Sequence, residues 1–154
     1  MGSRPRRLLG TALFLAAALC LLSALSGGAV AADGDLYVNA SENATANYDT
    51  ISGAVDAAGT DDTIVVENGT YTEQVVLDKS VTLIAAHEGG ATIRYAPANA
   101  AGSPTVGIPS NGATVSGFVI ERVAADRDSN APFAQGVRIS GSDVTVSNNT
   151  VAGE

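Results

Sequence analysis

The residues whose types could do chemistry are few and far apart. Arg94, Arg122 and Arg138 could supply a cation, and Asp126, Asp128 and Asp143 could supply carboxylates. A basic group beside an acidic, calcium-holding cluster can neutralise a sugar's carboxylate while a base takes the adjacent proton. These residues sit in no spacing that enforces such an arrangement, and isolated charges of this kind ordinarily belong to solvated surface. Asp126-Arg127-Asp128-Ser129-Asn130 places oxygen ligands at alternate positions, as a calcium loop does at its start. Ala131 stands where that loop needs glycine and Val137 where it needs a closing glutamate, so Asp126, Asp128 and Asn130 make only a weak calcium set. His87 is the sole histidine, and one imidazole makes neither a metal cage nor a triad. No catalytic residue and no cofactor is assigned. Asn39, Asn43, Asn68 and Asn148 each open an Asn-x-Ser/Thr sequon and are candidate glycosylation sites.

The N-terminus carries an address. Arg4, Arg6 and Arg7 precede a charge-free apolar run from Leu8 to Leu25, and Ala29-Val30-Ala31 then supplies a small-x-small cleavage pattern. Residues 1–31 therefore read as a signal peptide cleaved after Ala31, which predicts a secreted or cell-surface protein. Arg6-Arg7 permits the twin-arginine route, although Pro5 departs from its usual pattern. Cleavage removes three of the 8 basic residues and none of the 16 acids, so the formal net charge moves from −8 to −11. Such a charge repels nucleic acid. The single cysteine, Cys20, leaves with the signal, so packing and hydrogen bonds must hold the mature chain. With no Trp and 3 Phe, the core is expected to be Val, Ile, Leu and Ala. The abundance of Asp and the single lysine, Lys79, resemble proteins from very salty surroundings.

The elements that must position these residues are mostly short strands. Ile51, Ala54, Val55 and Ala58 form one apolar stripe, predicting a short helix with Asp49 as N-cap and Gly59 as stop. Strand-type runs follow, among them Thr63–Val66, Gln74–Leu77, Val81–Ile84, Ala91–Arg94, Thr105–Ile108, Thr114–Ile120 and Gly136–Ile139. Ala113-Thr114-Val115-Ser116 recurs as Val144-Thr145-Val146-Ser147, and Val81-Thr82-Leu83-Ile84 precedes it in the same phase. Near-equal intervals of this kind predict a solenoid of stacked coils, with Leu83, Val115 and Val146 in one inward row. An antiparallel sandwich is the competing arrangement. Asn148-Asn149 would suit an asparagine ladder at a coil corner. Loops 96–111 and 123–134 interrupt the coils and could wall a groove.

Residues 48–154 resemble right-handed parallel β-helix proteins of the pectin-lyase-like superfamily, NosD-like proteins included. The resemblance rests on Tyr48-Asp-Thr-Ile-Ser-Gly-Ala-Val-Asp-Ala-Ala58, Asn68-Gly-Thr-Tyr-Thr-Glu73, Lys79-Ser-Val-Thr-Leu-Ile84 and Val144-Thr-Val-Ser-Asn-Asn-Thr-Val151. It implies an all-β parallel β-helix with a short N-terminal capping helix, preceded by a flexible segment at 32–47. Gly69-Thr70-Tyr71-Thr72-Glu73 is similar to an element of pectin methylesterases, but that family's aspartate contexts are missing, so the element reads as structural. Copper delivery of the NosD kind finds no ligand set. The expected function is a non-enzymatic surface or secreted β-helix that contacts polysaccharide or envelope material. The alternative is the N-terminal part of a carbohydrate-active enzyme, a polysaccharide lyase or pectin esterase, with its catalytic coils beyond residue 154. Val151–Glu154 follows a repeat without a capping pattern, so a partner or further coils are expected to cover the last coil.

Overall fold

The computed structural model describes residues 34–40, 47–96, 103–123 and 135–153. The expected signal peptide and cleavage site, Asn43, and the calcium candidates Asp126, Asp128 and Asn130 lie outside them.

Among the described residues, twelve strands form three parallel sheets wound about a common core, with one short helix beside them. Sheet A stacks β1 (Leu36–Val38), β2 (Thr63–Val66), β5 (Thr82–Ala85), β8 (Thr114–Ser116) and β11 (Thr145–Ser147). Sheet B stacks β3 (Gly69–Thr72), β6 (Ala91–Tyr95), β9 (Phe118–Arg122) and β12 (Thr150–Gly153), and sheet C stacks β4 (Val75–Val76), β7 (Val106–Ile108) and β10 (Val137–Ile139). Each pass through A, B and C is one coil of a right-handed parallel β-helix of about 3 turns. All strand pairs are parallel, which excludes the sandwich.

The predicted row is present: Leu83 pairs with Val115, and Val115 with Val146. Leu83 and Val115 are buried, whereas Val146 is 38% exposed because no described strand pairs beyond β11. Ile64, Ile93, Val106, Ile108 and Ile120 complete an aliphatic interior, as expected. Phe118 is the largest fully buried side chain and Tyr71 is also buried, so two aromatics enter the core as well.

The local sequence explains where elements break. The run Thr114–Ile120 is two strands rather than one, because Gly117 at φ +87 turns the chain from sheet A into sheet B. One coil later Asn148 makes the same turn at φ 55, a backbone region that asparagine tolerates. The expected asparagine ladder is a single rung: Asn149 Oδ1 accepts from Phe118 N at 2.8 Å, and its Nδ2 donates to the Val115 carbonyl at 2.9 Å. Its counterpart one coil earlier is Phe118, so there is no second amide to stack.

Helix α1 (Ile51–Ala57) buries Ile51, Ala54 and Val55 against the first coil. Its N-cap is Thr50 rather than Asp49, since the Thr50 hydroxyl accepts from Gly53 N at 3.1 Å. Glu73 closes the same end, its two carboxylate oxygens accepting from Ile51 N and Ser52 N at 2.9 Å each. At the other end Lys79 Nζ donates to the carbonyls of Val55, Asp56 and Ala58 at 3.0, 2.8 and 2.9 Å. An acid at the positive end and a base at the negative end both oppose the helix dipole. The Gly69–Glu73 element thus has a structural task here: Tyr71 anchors β3 through its hydroxyl, 2.9 Å from the Glu67 carbonyl, and Glu73 holds α1.

Candidate functional site: a groove on sheet C

On sheet C, Val76 pairs with Gly107 and Gly107 with Arg138, so these three form one column across successive coils. Val76 and Arg138 are exposed, which places the column on the outer face. Gly107 carries no side chain between them, and the column sinks there into an open groove of about 220 Å³. The groove is lined by Gln74, Val76, Pro104, Gly107, Ile108, Pro109, Arg138 and Ser140. A Cβ on Gly107 would lie 3.4 Å from Pro104 Cγ and 3.9 Å from Val76 Cγ2, so a larger side chain would fill the space.

The backbone around the groove is firmly tied. Gln74 Nε2 donates to the Pro104 carbonyl at 2.8 Å, fixing one wall. Leu77 N donates to the Gly107 carbonyl at 2.8 Å, and Ser140 N to the Ile108 carbonyl at 2.9 Å. Ser110 Oγ bonds the Leu77 carbonyl at 2.8 Å, locking the strand exit below Pro109. Arg138 is exposed and has no hydrogen-bond or ion-pair partner among the described residues.

The lining therefore combines an apolar platform from Val76, Pro104 and Pro109 with one cation, one amide and one hydroxyl. It contains no carboxylate, imidazole or thiol. A planar guanidinium beside an apolar wall suits a ring that carries a carboxylate, because the fork pairs with both oxygens.

The other sequence candidates do not converge on this groove. Arg94 is on sheet B, its Nε 3.8 Å from Glu121 Oε2. Arg122 lies on the same sheet, half-buried, with its Nε unpartnered. Asp143 sits in the exposed turn leading to β11, at φ 56. His87 lies exposed in the turn before β6. The described residues hold no cluster of three or more His, Cys, Asp or Glu that could ligate a metal. Of the sequon asparagines, Asn68 and Asn148 are exposed and Asn39 is half-buried. Sequence reasoning named Arg138 and the segment 96–111, which supplies Pro104, Gly107, Ile108 and Pro109 to the lining, whereas 124–134 lies outside the described residues; it missed Gln74, Val76 and Ser140, whose roles depend on which coils become neighbours. For Val76 the signal was its offset of one coil from Gly107, and of two from Arg138.

No protein-family model matches the chain, and no curated protein matches it in sequence. Solved structures do. A pectin methylesterase from Aspergillus niger, in deglycosylated form, superposes with a TM-score of 0.60 at 23% identity, covering 80% of this chain and 44% of that one. Pectin methylesterase PemA from Erwinia chrysanthemi gives 0.57 at 21% identity, covering 77% of this chain and 45% of that one. The chain spans less than half the length of these two enzymes, and what it shares with them is the pectin-lyase-like right-handed parallel β-helix fold.

Proposed function

We propose that this chain is an exported β-helix protein that holds acidic polysaccharide or cell-envelope material in the sheet C groove without cutting it. The observation carrying this reading is Arg138, without a partner among the described residues, beside a groove whose described lining includes no acid or base able to move a proton. The Arg4–Ala31 pattern supports export to where such polymers occur. On this reading Asp126, Asp128 and Asn130 contribute at most a weak calcium contact, and any sugar on Asn39, Asn43, Asn68 or Asn148 is a surface addition.

The likeness to two pectin methylesterases favours a second reading, the N-terminal part of a carbohydrate-active enzyme. Turnover separates them. Unsaturated product from pectate or alginate and methanol from methylated pectin are to be followed with and without calcium. Neither should form. Turnover that is lost in Arg138→Ala or Asp126→Ala would establish the enzyme reading instead.

A further inference from the structure

A different surface, independent of the groove, carries a ligand inference of its own. On the outer face of sheet A, Thr63 pairs with Thr82, Thr82 with Thr114, and Thr114 with Thr145. Four threonines from four successive coils thus form one column with rungs about 4.8 Å apart. None of their hydroxyls has a hydrogen-bond partner among the described residues. The next outward column is Tyr37, Val65, Ile84, Ser116 and Ser147. Here the hydroxyls are used, since Ser147 Oγ bonds Ser116 Oγ at 3.2 Å, and Tyr37 is 42% exposed. From Thr63 to Thr145 the two columns contain no charged residue, in a chain with 16 acids; the exposed Asp35, which precedes Leu36 opposite Ile64, bounds the threonine column at one end.

We propose that this face binds a neutral, extended β-linked glycan lying along the solenoid axis. The rung spacing is close to the rise per sugar in such a chain, so each coil meets about one sugar. Each free threonine hydroxyl can both donate and accept, as an equatorial sugar hydroxyl requires. Tyr37, Val65 and Ile84 give the ring's C–H face an apolar surface, and tyrosine suits a contact that is apolar on one side and wet on the other. The lack of charge removes both an attraction for anionic polymers and a desolvation cost for neutral ones. Ice is a poorer match, because the second column varies from Tyr to Ser and is not a flat hydroxyl lattice.

The test is adsorption of the purified protein from Ala32 onward to amorphous cellulose, with soluble pectate as the acidic comparison. Thr82→Val with Thr114→Val removes two hydroxyls while keeping shape and strand preference, and Tyr37→Ala removes the aromatic from another element. Cellulose binding should weaken at least tenfold in the threonine pair and severalfold in Tyr37→Ala, with unchanged circular dichroism, and should persist in Arg138→Ala. Wild-type protein that stays in the supernatant, or a threonine pair that binds as wild type, overturns the proposal. So does self-association, or shaping of ice crystals, that the same threonine pair abolishes in place of cellulose binding.

Discussion

Gly117 and Tyr71 show how single residues fix the coil. Gly117 adopts φ +87, and a Cβ there would stand 3.2 Å from Ala85 Cβ. Gly117→Ala combines left-handed backbone strain with that crowding and should cost about 1–3 kcal/mol, read as a lower midpoint in urea. Asn148, already left-handed one coil later, should tolerate Asn148→Gly with little change. Burial is the main influence on the Tyr71 phenol and raises its pKa from 10.0; the Ala40 backbone opposes the rise, while Glu67 and Glu73 add to it. The unfolded chain therefore releases this proton at a lower pH than the folded one. Stability from Tyr71 is fully present below about pH 10 and is lost as pH climbs from there through the folded pKa. Thermal midpoints measured across that alkaline range should fall less steeply in Tyr71→Phe than in wild type.

At the scale of elements, α1 is held at both ends by side chains from the first coil. A seven-residue helix is marginal alone, so its clamp and its buried face must stabilise it. Glu73→Ala strips two backbone N–H groups of a charged partner and should cost about 1.5–3 kcal/mol, with Glu73→Gln recovering part of the loss. Hydrogen exchange should speed up in α1 before it does in sheet B. The helix was legible in the sequence because Ile51, Ala54, Val55 and Ala58 repeat at helical spacing. Its clamp was not, since Glu73 and Lys79 lie beyond the helix and meet it only once the coil closes. β1 was equally hidden: Leu36–Val38 is too short to stand out and becomes a strand by pairing with Ile64 and its neighbours. The A-to-B corner escaped for a related reason, as Gly117 inside Thr114–Ile120 also reads as an ordinary strand glycine.

For the whole molecule, the stacking of coils makes the same substitution mean different things at different heights. Val115→Asp places a charge in the closed interior and should cost several kcal/mol, whereas Val146→Asp, in the same row but 38% exposed, should cost much less. Equal melting losses for the two would contradict the register. The repeat made this row readable in advance. The groove was readable only in part: segment 96–111 and Arg138 could be named, but Val76, Gly107 and Arg138 come together only as adjacent rungs. Its role as a binding surface for acidic sugar is the central functional claim, and calorimetric titration of wild type, Arg138→Ala and Gly107→Leu with an acidic oligogalacturonide tests it most directly. Arg138→Ala removes the cation and Gly107→Leu fills the groove from outside the core. Saturable binding by wild type, weakened at least tenfold in both variants at unchanged thermal midpoint, is the predicted result; wild-type binding that both variants retain, or no binding at all, would contradict it.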